Sequence, residues 1–224
     1  MAHPSIHIGI LRNVPLFAML DEPQLRALAD VMSRKSAPKN RTILKAGDPT
    51  DSLYIVIAGR IKVQMSDDEG KEVILSVLGP GDFFGEMGLI DGAPRAASVV
   101  TLEQCEFVTV SKEDFHAILK DNHEMGMVIM RGLVKRLREA DRKIESLALL
   151  DVYGRVARVL LEFAEDVDGQ KVVKRKLPRQ DIAKMIGASR EMVSRVMKGL
   201  EVEGYVEVAP DGTMILRERL ATTL

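Results

Sequence analysis

The chain has 224 residues, 46% of them hydrophobic and 29% charged, with a formal net charge of -1. That leaves room for two domains with real cores, and it excludes both extended disorder and a protein that coats nucleic acid through bulk positive charge. Cys105 is the single cysteine, which excludes a disulfide framework, a zinc knuckle and a four-cysteine iron–sulfur site. With no run of about 20 apolar residues and no basic start followed by an apolar block, the chain is expected to work in the cytoplasm, away from membranes.

In chain order, Leu16, Leu20, Leu25, Leu28 and Val31 predict short amphipathic helices over Leu11 to Met32. From Thr42 to about Val110 the texture becomes β-rich, in LYIVIAGRIKV, DDEGKEVILSVLGPGD and AASVVTLEQCEFVTV. Gly59, Asp68-Glu69-Gly70 and Gly79-Pro80-Gly81 fall where hairpin turns are needed, and Ile55, Ile57, Ile61 and Val63 alternate as inward side chains. The pattern predicts an antiparallel jelly roll with the early helices packed on it.

Inside the roll lies FGEMGLIDGAPRAASVV, from Phe84 to Val100. Gly85 and Gly88 allow close backbone approach, the amides from Glu86 through Met87 to Gly88 can donate to phosphate oxygens, and Arg95 offers a fork to the charge. Glu86, an acceptor-only carboxylate, suits a ribose hydroxyl or else pairs with Arg95. Jelly rolls also host cupin-like metalloenzymes, but His3, His7, His116 and His123 form no compact ligand motif. The first two read as terminal residues and the others as lying on polar helix faces. No nucleophile–base constellation is legible either, so neither an enzyme, a metal nor a resident cofactor is expected. Met125, Met127, Met130 and Met197 read as packing residues.

Over Met125 to Leu149, the residues Met130, Leu133, Leu137, Ala140, Ile144 and Leu147 alternate at three and four, a heptad a/d stripe on a rod about 37 Å long. So narrow a stripe seeks an identical partner, and a homodimer is expected. In that register Arg136 falls at g and Asp141 at e, the spacing of a cross-helix pair in a parallel dimer. The expected divisions are 1–124 for the roll with its helices, 125–149 for a dimerisation helix and 150–224 for a C-terminal domain.

Lys171, Lys174, Arg175, Lys176 and Arg179 form a basic run. Beyond it, PRQDIAKMIGASREMVSRVMKGL, from Pro178 to Leu200, reads as two helices joined at Gly187. Ile182, Ala183 and Met185 give the first an apolar side, and Ser189 is placed to cap the second. Val193, Val196 and Leu200 turn inward, leaving Arg190, Glu191, Ser194, Arg195 and Lys198 outward. Arginine suits guanine O6 and N7, and glutamate the cytosine amino group. Flanking groups, Arg179 and Gln180 among them, hold the register on phosphates. Tyr205 to Val208, Pro210-Asp211-Gly212 and Thr213 to Leu216 predict a wing.

On these residues the whole chain resembles the Crp/Fnr family of bacterial transcription regulators. FGEMGLIDGAPRAASV is similar to the phosphate-binding cassette of cyclic-nucleotide proteins, and SREMVSRVMKGLE to the family's recognition helix. The resemblance implies an α+β fold: an N-terminal cyclic-nucleotide-binding β jelly roll, a long dimerisation helix and a C-terminal winged helix-turn-helix. It puts Glu86 on the ribose hydroxyl and Arg95 on the cyclic phosphate. It puts Arg190, Glu191 and Arg195 on TGTGA-like half-sites of pseudo-palindromic double-stranded DNA, with RNA polymerase as a further partner. Cyclic AMP is the favoured ligand. The alternatives are cyclic di-GMP, a larger ligand that Asp141 and nearby arginines could serve, and a regulator that needs no ligand.

Two places depart from the family pattern. Ala96 stands where bacterial cyclic-AMP receptors place Ser or Thr, although the regulatory subunits of protein kinase A carry Arg followed by Ala-Ala there. Ala140 and Asp141 replace the adjacent Thr and Ser that contact adenine. The implied mechanism is a dimer biased by ligand toward half-site spacing, and moving such a balance from 1:99 to 99:1 requires about 5.5 kcal/mol of differential affinity.

Overall fold

The computed structural model describes residues 7–18 and 20–223; His3 lies outside them. The chain packs as two compact units, dividing at Lys135 and Arg136.

The first unit opens with α1 (Ile8–Arg12), a 3₁₀ turn (Pro15–Phe17) and α2 (Glu22–Val31). A capping box starts α2: Asp21 Oδ1 accepts from Gln24 N at 2.9 Å while Gln24 Oε1 accepts from Asp21 N at 2.9 Å. Eight strands follow: β1 (Ser33–Ala37), β2 (Thr42–Leu44), β3 (Ser52–Ala58), β4 (Ile61–Ser66), β5 (Glu72–Leu78), β6 (Phe83–Phe84), β7 (Ser98–Thr101) and β8 (Cys105–Ser111). They form two antiparallel sheets, ordered β1-β8-β3-β6 and β2-β7-β4-β5. The helices α3 (Met87–Asp91), α4 (Lys112–Asp121) and α5 (His123–Leu149) complete the order up to the second unit.

This roll has two cores because the first sheet is covered on both faces. Tyr54, Val56, Phe84, Val99 and Phe107 fill the interior, with Tyr54 stacked on Phe84 at 5.1 Å and both set edge-on to Phe107. Leu53, Ile55, Phe83, Val108 and Val110 face the other way, onto Leu16, Phe17, Leu25, Leu28, Phe115, Met125 and Ile129. Hence residues 53–56 are buried without interruption rather than alternating. The roll begins one strand earlier than Thr42, at β1, and Val31, expected inward, is exposed.

The second unit carries α6 (Val152–Glu162), β9 (Glu165–Val167), β10 (Gln170–Val173), α7 (Arg179–Ile186), α8 (Arg190–Val202), β11 (Val206–Val208) and β12 (Met214–Leu216). Asp151 caps α6, accepting from Gly154 N at 2.8 Å. The strands form one sheet, ordered β11-β12-β10-β9, so the expected wing hairpin is half of a four-stranded sheet. Val156, Leu160, Ile182, Val193, Met197, Leu200, Met214 and Leu216 make the core. Two inward assignments shift by one residue. Ile186, not Met185, is the fully buried residue that closes α7, and Met197, not Val196, is fully buried on α8.

Candidate ligand and nucleic-acid sites

The turn from β6 into α3 is built around a buried cation. Gly85 sits at φ +83°, and a Cβ there would fall 2.4 Å from Arg95 Nη1 and 3.2 Å from the Ser52 carbonyl oxygen. A Cβ on Gly88 would fall 2.2 Å from both Ala93 O and Thr50 Oγ1. The space these glycines open is therefore filled by the protein's own groups. Arg95, only 5% exposed, donates from Nη1 to Gly85 O at 2.7 Å, and from Nη2 to Ser52 O and Asp51 Oδ1 at 2.9 Å each. These bonds use three of its five N–H groups.

A buried guanidinium is tolerated because carbonyl and carboxylate oxygens surround it. One carboxylate on it is Asp51, whose Oδ1 accepts from Arg95 Nη2 at 2.9 Å. Glu86 is 1% exposed and leads into α3, whose first N–H groups, on Met87 and Gly88, have no acceptor within the helix. The cassette thus gathers Gly85, Glu86, Met87, Gly88 and Arg95, with Met87 and Ala96 exposed at its surface. Asp51 was not legible as a member: it lies 44 residues from Arg95. The Ser52 hydroxyl above all, with the Arg95 charge and hydrogen bond adding to it, holds its carboxyl below the ordinary value against the opposing effect of burial.

On the second unit, Ser189 caps α8, its hydroxyl accepting from Met192 N at 3.1 Å, and Gly187 ends α7 at φ +64°. Ser189, Arg190, Glu191, Ser194, Arg195 and Lys198 are all exposed, and Ser194 Oγ donates to Arg190 O at 2.9 Å. Arg190, Arg195 and Lys198 stand outside the ion pairs formed among the described residues. Gln180 is exposed, whereas Arg179 is half-buried and bonded to Glu201 at 3.4 Å. The basic run is largely answered locally: Lys171 pairs with Asp166, Lys174 with Glu165, and Arg175 lies 4.8 Å over the Phe163 ring.

Two matches account for both units. The family described as cyclic nucleotide-binding domain matches residues 34–122, and the family described as Crp-like helix-turn-helix domain matches residues 154–222. The chain is 39% identical, over 75% of its length and 77% of the relative's, to the cAMP-activated global transcriptional regulator CRP of Haemophilus influenzae. It belongs to the Crp/Fnr family of transcription regulators. It is also 35% identical to the cAMP-activated global transcriptional regulator Vfr of Pseudomonas aeruginosa, over 86% of this chain and 95% of that one. Among solved structures it resembles the c-di-GMP responsive global regulator CLP of Xanthomonas campestris, with a TM-score of 0.75, 29% identity, and coverage of 88% and 99% of the two chains. DNA is accordingly the partner of this Crp/Fnr regulator, and a cyclic nucleotide its class of effector.

Helix α5 is the element whose surface the family assignment leaves to be explained. Met125 and Ile129 are buried in the roll's helix-side core and Leu133 packs against it. A Cβ on Gly132 would lie 2.8 Å from Phe83. Leu133 therefore serves its own unit rather than the stripe. The exposed apolar series is Met130, Val134, Leu137, Ile144 and Leu147, between 49% and 65% exposed. Ala140 and Asp141 are exposed and Arg136 half-buried on α5 within the second unit. Five residues turn about 140° round a helix, so Arg136 and Asp141 do not face each other within one chain.

Two of the histidines engage the backbone. His116 Nε2 lies 2.7 Å from Leu89 O, and His7 accepts from Gly9 N. Among the described residues no three His, Cys, Asp or Glu side chains gather for a metal, and no helix is long and apolar enough to cross a membrane. Cys105 is buried, which pushes its thiol up.

Proposed function

We propose that this regulator is a homodimer whose binding to pseudo-palindromic DNA is controlled by a cyclic nucleotide, with cyclic AMP first in line. The observation that carries the reading is the Arg95 guanidinium, buried and fixed by Gly85 O and Ser52 O beside the first turn of α3. A cation desolvated and oriented in advance favours a phosphate strongly, because neither side chain nor solvent has to reorganise on binding. In this proposal Arg95 and the Met87 and Gly88 amides take the cyclic phosphate, Gly85 sets the turn, and Glu86 accepts from the ribose hydroxyl. Ala96 lends only its backbone. Arg136, Ala140 and Asp141 are the candidates on α5 for the base. The sensor comprises 1–124, the dimerisation helix 125–149 and the DNA-binding domain 150–224, acting in the cytoplasm with RNA polymerase as a further partner.

Cyclic AMP is supported by the names of two relatives, CRP and Vfr. Cyclic di-GMP is the second reading, favoured by the likeness to CLP, a c-di-GMP responsive regulator, and by the exposed Asp141 where a hydroxyl is expected. Operator binding measured with no nucleotide, with cyclic AMP and with cyclic di-GMP tests the proposal. Cyclic AMP is expected to tighten binding to TGTGA-like inverted repeats by at least about tenfold, a coupling of some 1.4 kcal/mol. Equal binding in all three conditions would sink it.

On the DNA side, Arg190, Glu191 and Arg195 read bases, while Arg179, Gln180, Ser189, Ser194 and Lys198 hold backbone register. Arg190→Ala is expected to reduce discrimination between the operator and a single-base variant by about 1–3 kcal/mol, whereas Lys198→Ala weakens all sequences alike and lowers the salt slope by about 1. Competition binding across 50–200 mM salt separates the two, and an equal loss on every duplex for both variants contradicts the assignment.

A further inference from the structure

Helix α8 buries Val193, Met197 and Leu200, with Val196 packed beside them. Its first two turns otherwise present polar groups, with one exception. Met192 is 38% exposed. Successive residues turn about 100° round a helix. That places Met192 between the buried side and the outward side, on the Arg195 flank of the helix, and Arg195 is its i+3 neighbour. The Met192 amide is already engaged by the Ser189 hydroxyl at 3.1 Å, so this position meets a ligand through its side chain.

An exposed first-turn position is served at least as well by Glu, Gln or Lys, which match Met in helix propensity and keep their heads hydrated. An apolar side chain at the edge of the outward face gives that face one place where an apolar ligand group can pack. The helix faces DNA, and the major groove offers one apolar feature among the base edges, the C5-methyl of thymine. Arg reads guanine and Glu reads the cytosine amino group through their charged heads, which leaves only short methylene stems for a methyl. Methionine, unbranched and with three rotors, can reach sideways to it and adapt to its position.

We propose that Met192 is a specificity-determining residue that packs on a thymine C5-methyl in each half-site. This rests on the DNA-binding reading above and adds a base to it. The contact is worth roughly one buried methyl, about a fourfold change in affinity per half-site.

The test replaces each thymine of a pseudo-palindromic TGTGA-like duplex in turn by deoxyuridine, in both half-sites together. The methyl is thereby removed and every hydrogen-bonding group is kept. Full-length protein with cyclic AMP is expected to lose about fourfold per methyl at one thymine position. Met192→Ala is expected to bind parent and substituted duplexes equally at that position, and Met192→Leu to restore the difference. Because the side chain is exposed, thermal unfolding of both variants should match the wild type.

A wild type indifferent to uracil at every position, or a Met192→Ala protein that keeps the wild-type loss, overturns the assignment and leaves the regulator reading intact. A wild type that binds no inverted repeat with any nucleotide overturns that reading, and this inference with it.

Discussion

Arg95→Leu is expected to abolish the nucleotide response of operator binding and to weaken cyclic-AMP affinity about 100-fold or more, while lowering the stability of the first unit by about 2–4 kcal/mol. The affinity loss follows from removing charge-assisted bonds to the phosphate, each worth about 1.5–3 kcal/mol. The stability loss follows from the carbonyls of Gly85 and Ser52, which Arg95 satisfies at 2.7 and 2.9 Å and which leucine leaves without that donor. Arg95→Lys keeps the charge but has no planar fork to span Gly85, Ser52 and Asp51 at once. It is expected to recover stability better than affinity. Calorimetric titration with cyclic AMP reads the first quantity and thermal unfolding the second. An Arg95→Leu protein that binds cyclic AMP within threefold of wild type would remove the phosphate role.

A pH signature accompanies the substitution. The folded-state pKa of Asp51 is lowered, by the Ser52 hydroxyl first and the Arg95 charge after it. Its contribution is therefore present above the unfolded carboxylate value of 3.8 and fades as pH falls through the lower folded value. The side chain is 81% exposed, so the effect is small and screened. Without Arg95, part of that acid dependence disappears.

What the sequence made legible and what it hid have separate physical origins. The cassette and the helix-turn-helix were readable because each needs glycine in a fixed place. At Gly85 and Gly187 the backbone is left-handed, and at Gly88 a Cβ would strike a carbonyl oxygen. The β9–β10 hairpin was also present as a signal, since Asp168 and Gly169, at φ +51° and +78°, form an Asp-Gly turn between short strands. The basic residues drew the reading toward DNA instead, and their carboxylate partners, Asp166 and Glu165, sit across that same hairpin.

β1 was hidden because SRKSA has neither alternation nor apolar bulk; only Ala37 is buried. The strand is held by its pairing to β8. Periodicity likewise cannot say which apolar side chain of a helix meets which surface. It assigned Leu133 to the stripe, when Phe83 and the neighbouring sheet draw that part of α5 onto the roll. The Arg95–Asp51 pair arises only when the loop before β3 meets the end of the cassette, a juxtaposition local sequence does not encode.

The distinction between Leu133 and its neighbours on α5 yields the second large effect. Leu137→Asp combined with Ile144→Asp is expected to convert the dimer to a monomer at micromolar concentration and to cut affinity for an inverted repeat by about 10²–10⁴, since the second half-site is then no longer tethered to the first. Leu137 and Ile144 are 62% and 65% exposed on the single chain, so charges there leave each unit's own packing untouched. In a paired seam each side chain would contribute about 1.5–3 kcal/mol, and four carboxylates buried without partners reverse that contribution. Leu133→Asp should behave differently: placed against the helix-side core of the roll, it unfolds the first unit rather than merely separating protomers. Sedimentation equilibrium reports the association state and circular dichroism the fold. A double variant that remains dimeric with wild-type operator affinity places the seam elsewhere, and a Leu133→Asp protein that is monomeric but fully folded returns that residue to the stripe.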